Sequence, residues 1–130
     1  MSGWREETAS DLEDAGRKIE SVLGSLSGEP TREQVRSVWA AYALVEKSVA
    51  FIRLDIDEEN PGRFIRLRNY SVPDERQALQ FALRNMRKGQ ENFSLGDFRQ
   101  ALKDLRESRN YLRALLREQR LKRARRARSA

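Results

Sequence analysis

Leu12, Ala15, Ile19, Val22 and Leu26 recur at intervals of 3, 4, 3 and 4. Phe98, Ala101, Leu105, Ser108, Leu112 and Leu115 follow at 3, 4, 3, 4 and 3. That alternation lays an apolar stripe along one side of an α-helix and specifies a seam against other helices. Two such stripes near the ends of one chain restrict it to helix-on-helix packing.

The intervening sequence supplies two more helices. Ser27-Gly28-Glu29-Pro30 ends the first stripe, which reads as a helix over about 6–26. Thr31-Arg-Glu-Gln34 then matches a capping box, in which hydroxyl and amide satisfy orphan backbone N–H groups. The second helix shows an apolar face through Val35, Val38, Trp39, Tyr42, Val45, Val49 and Ile52, and is expected to be the most buried. Its end is ambiguous, because residues 51–57 and 64–70 alternate with period 2 around Asn60-Pro61-Gly62. One solution is a β-hairpin over 51–70; the favoured one continues the helix to about Ile56, with 63–72 as a linker. Pro73-Asp74-Glu75 reads as the first turn of a third helix, with Leu79, Ala82, Leu83, Met86 and Phe93 inward. Ser94-Leu-Gly-Asp97 reverses the chain into the fourth. The expected fold is all-α: an antiparallel four-helix bundle over 1–116 with a basic helical extension over 117–130. Helices plus a hairpin at 51–70 is the alternative.

Composition removes most reaction chemistry. With no Cys and no His, the chain has no thiolate nucleophile, imidazole base or ordinary zinc ligand set. No nucleophile–base pair or phosphate loop can be assembled, so it is expected not to be an enzyme and to use no cofactor or small-molecule substrate. The polar N-terminus and lack of a long apolar run point to a cytoplasmic protein without a signal peptide or membrane span.

What remains is charge. The chain carries a net +6, and residues 117–130 hold seven Lys or Arg against Glu118 alone, so this short arm accounts for all of it. Its cations are Arg117, Arg120, Lys122, Arg123, Arg125, Arg126 and Arg128; Arg113, Arg117, Arg120 and Arg128 share one helical face. Such an arm suits the phosphates of RNA or DNA, with weak sequence preference and strong salt dependence. A solubilising tail or an acidic protein partner fits the same composition. Having only Leu121 as a bulky apolar side chain, it suits no membrane. Arg63, Arg66 and Arg68, interleaved with Phe64 and Tyr70, are further candidates for phosphate contact and base stacking, or else cover the core and pair with preceding acids. Trp4 is read as an anchor for the first helix rather than a ligand contact. Asp55, Asp57, Glu58 and Glu59 could hold a hard cation, but a solvated, salt-bridged helix end explains them as well, and no metal ligand is assigned.

Gly89, Gly96, Asp97, Phe98, Ala101, Leu105 and Ser108 resemble the small-residue, G-D-[YF] and A-x3-[FL] positions of a tetratricopeptide repeat. The resemblance spans about 34 residues within 73–116, and it implies a close helical hairpin rather than the stacked-repeat binding groove of that family. The same hairpin is similar to elements of small archaeal helical-bundle families of unknown function and of HEPN-type bundles. The ribonucleases of the latter use an Arg-x4-6-His motif, which this chain lacks. A hairpin of this kind makes a protein partner, or a homodimer, the alternative to nucleic acid.

Overall fold

In the computed structural model, residues 3–56 and 74–129 are described. They form α1 (Trp4–Ser25), α2 (Arg32–Asp55), α3 (Glu75–Ser94) and α4 (Phe98–Ser129), and no strand. The second half of the alternative hairpin falls outside the described residues; its first half is helix. Ile52 is buried while Leu54, two residues on, is 77% exposed, because α2 continues to Asp55 and turns Leu54 to solvent.

The helix ends follow local chemistry. Thr31 Oγ1 accepts from the Gln34 amide at 3.1 Å and Gln34 Oε1 accepts from the Thr31 amide at 2.8 Å, the reciprocal pair that the sequence specified. Asp74 sits outside the first turn of α3 rather than within it, with extended backbone, and its carboxylate accepts from the Gln77 amide at 2.6 Å. Its position is thus the cap, which satisfies a donor that a first-turn side chain would leave open. Gly96 holds φ at 81°, the left-handed conformation that closes α3, and Asp97 starts α4 by accepting from the Gln100 amide at 3.2 Å. The last turn of α1 has no basic residue. Arg76, from α3, donates instead to the carbonyls of Leu23 and Leu26 at 3.3 and 2.7 Å, bringing a cation to the negative end of that helix.

These contacts also fix the topology. Lys47 of α2 pairs with Glu7 and Asp11, and Gln90 of α3 donates to Glu13, so both helices run antiparallel to α1. α4 packs on α2 and α3, again antiparallel to each: Arg109 meets Glu46, and Ser108 donates to the Ala82 carbonyl at 2.6 Å. Every adjacent pair is therefore antiparallel, while α2 and α3 lie across the diagonal, parallel to each other, and both begin beside the C-terminal end of α1. Leu12, Ile19, Ile52, Leu79, Met86, Leu105, Leu112 and Leu115 are fully buried along the axis. Burying each Leu, Ile or Met contributes about 1.5–3 kcal/mol.

At the start of α1 Trp4 is an anchor, edge-on to Phe93 and Phe98 at 5.8 and 5.5 Å between ring centroids. Trp39 departs from expectation. It is 50% exposed, because the buried stripe of α2 passes through Val38, Ala41, Val45, Ser48 and Ile52 and leaves the indole on its flank. Among the described residues no helix is long and apolar enough to cross a membrane.

Candidate nucleic-acid interface

No Gly or Pro interrupts the sequence after Gly96, and the arm consists largely of Arg, Lys, Ala and Leu, all good helix formers. Helix therefore persists through residues 117–129, and α4 reaches 32 residues against 20 for α3. The difference corresponds to about 18 Å of additional helix. Arg126 and Arg128 lie in the last turn, where cations oppose the helix dipole favourably.

The extension is not a free rod. Gln119, Lys122 and Arg126 share one face at helical spacing and turn it toward the bundle. Gln119 Nε2 donates to Glu75 Oε1 at 3.2 Å, and Lys122 Nζ to the same oxygen at 2.8 Å. Lys122 also reaches Glu29 at 3.2 Å, and Arg126 binds the second Glu29 oxygen. Leu116 and Gln119 are buried. Packing thus continues past residue 116, and two of the seven cations of the arm are used to seat it.

Both partners record the seat electrostatically. Hydrogen bonds from Arg126 and then Lys122 hold the Glu29 carboxyl below its ordinary value of 4.5. Hydrogen bonds to Glu75 and then Glu29 hold the Lys122 ammonium above its ordinary 10.5. The lowered Glu29 value stabilises the seated arm above the unfolded value, and that contribution disappears as pH falls through the folded one. The raised Lys122 value acts in the opposite sense: its contribution is complete below the unfolded value and is lost as pH rises through the folded one. Acidification through the Glu29 transition should therefore loosen residues 122–126 before the core unfolds. Cα chemical shifts following the pH titration check this; helix retained there until global unfolding contradicts it.

The other cations face outward. Arg113, Arg117, Arg120, Arg123, Arg125 and Arg128 are exposed, and none has a carboxylate partner among the described residues. Three of the eleven residues singled out in the sequence, Arg63, Arg66 and Arg68, lie outside the described residues; Lys122 and Arg126 are paired with Glu29 and Glu75, Arg126 while remaining exposed. Asp55 is described, but its acidic neighbours at 57–59 are not, and the described residues contain no group of acids placed to hold a metal.

Sequence reasoning missed the groove beside the arm. Trp39 and Tyr42 of α2 face Arg113, Leu116, Arg117 and Arg120 of α4 across a cleft of about 280 Å³. Leu116, which also lines it, is buried, while Trp39 and Tyr42 stand edge to face with centroids 5.8 Å apart and planes at 88°. Burial, and then the neighbouring Glu46, push the Tyr42 phenol up. The signal lay in Ala41: a stripe drawn through it and Val38 displaces Trp39 from the core. Comparison with family models, curated proteins and solved structures finds no match for this chain.

Proposed function

We propose that this chain is a non-enzymatic, cytoplasmic helical protein that binds the phosphates of RNA or DNA through the exposed arginines of α4. One observation carries the reading. Glu29 and Glu75 seat the inner face of the arm, and the remaining guanidiniums are presented outward on a continuous helix tied to the bundle. Held cations lose less side-chain and backbone freedom on meeting a polyanion than those of a flexible tail, and need no sequence-specific contact to bind one.

The alternative, a partner helix docked on the hairpin of α3 and α4, has less support. The apolar faces of both helices are spent within the bundle, and the exposed Leu95 at their turn is a single side chain rather than a patch.

Replacing Arg117, Arg120, Arg123, Arg125 and Arg128 together by Gln tests the proposal while keeping the helix propensity and the seat at Gln119, Lys122 and Arg126. Retention of the chain on immobilised single- and double-stranded nucleic acid at low salt should be abolished. Undiminished retention would sink the role given to these side chains.

A further inference from the structure

We infer that the α2–α4 groove is a base-stacking subsite, so that the ligand of the basic helix is unpaired nucleic acid. The inference rests on the reading that the arm meets phosphates, and it adds which form of nucleic acid is selected and by which side chains. Its basis is the juxtaposition of Trp39 and Tyr42 with Arg113, Arg117 and Arg120.

A half-exposed indole is an unusual side chain to leave in water, since aromatic rings gain most from burial. Tyr42 packs against it edge-on, and the buried Leu116 lines the groove. At about 280 Å³ the space falls just short of the ~300 Å³ at which pockets for drug-sized ligands begin, and suits one planar ring system. Arg113, Arg117 and Arg120 stand on the opposite wall at i, i+4 and i+7, which spreads their origins over about 10 Å of helix axis. Their charge identifies the ligand as an anion. The nearby carboxylate that raises the Tyr42 phenol, Glu46, is engaged by Arg109 at 3.2 Å.

A planar group beside a row of negative charges is the repeating unit of a nucleic acid strand. Bases in a duplex are stacked on one another and cannot enter such a groove, whereas an unpaired base offers a free π-face, and stacking on aromatic side chains is the usual means of holding single strands. A second copy of this chain fits less well. A two-fold contact through this face would set the same three arginines against their counterparts.

The test uses the full chain carrying Trp4→Phe, which keeps an aromatic ring against Phe93 and Phe98 and leaves Trp39 as the sole indole. The probes are a single-stranded pyrimidine oligonucleotide, the matching duplex, inorganic polyphosphate and a poly-glutamate peptide. Only the single strand should quench the Trp39 emission. Trp39→Ala should weaken single-strand binding roughly 5- to 150-fold while leaving polyphosphate affinity unchanged, and Trp39→Phe should restore most of the loss. Thermal unfolding of each variant separates this effect from a folding defect. If duplex and polyphosphate bind but the single strand neither quenches Trp39 nor depends on it, the subsite is overturned and the phosphate-binding arm stands. Quenching by poly-glutamate without quenching by the oligonucleotide overturns it in favour of an acidic protein ligand. Failure of the wild-type chain to bind any of the nucleic acids overturns the arm and the subsite together.

Discussion

Raising monovalent salt from about 50 to about 200 mM should lower the affinity of this chain for a single strand about 300-fold, if all six outward arginines contact phosphates. Each neutralised phosphate of a single strand contributes about −0.7 to the slope of log affinity against log salt, which gives about −4 for Arg113, Arg117, Arg120, Arg123, Arg125 and Arg128 together. Replacing Arg123, Arg125 and Arg128 by Gln should reduce the slope to about −2, and the loss over the same salt range to about 20-fold. Lys122→Gln and Arg126→Gln should barely alter it, because those cations are occupied by Glu29 and Glu75. A salt titration of each variant by fluorescence anisotropy separates these outcomes. Equal loss of slope for inward and outward cations would mean that the arm acts as an unoriented cloud of charge.

The second large effect lies where α3 and α4 cross. A methyl group on Gly89 would stand 2.7 Å from the Leu105 side chain and 3.3 Å from the Ala101 carbonyl oxygen. Leu105 is completely buried, so it cannot swing out to solvent to make room. Gly89→Ala should therefore cost about 1–2 kcal/mol, the overpacking outweighing a gain of up to ~1 kcal/mol in helix propensity. Leu105→Ala should cost about 2–5 kcal/mol, through lost burial and the cavity left behind. In the double variant the new methyl enters part of that cavity, so its cost should equal or fall below that of Leu105→Ala alone. Urea unfolding of the four proteins measures the coupling, and additivity within about 0.5 kcal/mol would contradict the contact. Gly24→Ala is the control: it meets nothing within 4 Å and should be neutral or slightly stabilising.

Local chemistry was legible in the sequence. The capping box at Thr31 and Gln34, the stop at Gly28 and the turn at Gly96 each depend on residues within a few positions of one another, and each is present. The stripes of α1 and α4 likewise predict which side chains are buried. Trp39 was misplaced because size and hydropathy argue for the core, whereas the neighbouring small residues, Ala41 and Ser48, occupy the line of closest approach. The seat of the arm was illegible for a different reason. Lys122 meets Glu75 across 47 positions and Arg126 meets Glu29 across 97, and no local pattern distinguishes these cations from Arg123 or Arg125. Charge counting sees seven equivalent side chains, and only the fold divides them into two that hold the helix and five that face outward.

The cations of α4 thus divide into a seated pair and an outward set, and the outward set and the Trp39 groove are expected to meet one ligand. Titrating isotope-labelled full-length protein with a short single-stranded oligonucleotide, and following backbone amide and indole resonances, tests it most directly. Resonances of Arg113, Arg117, Arg120, Arg123, Arg125, Arg128 and the Trp39 indole should shift, with Glu29, Glu75 and the Trp4 indole unmoved. Shifts confined to other surfaces, or spread evenly over inward and outward residues of α4, would contradict it.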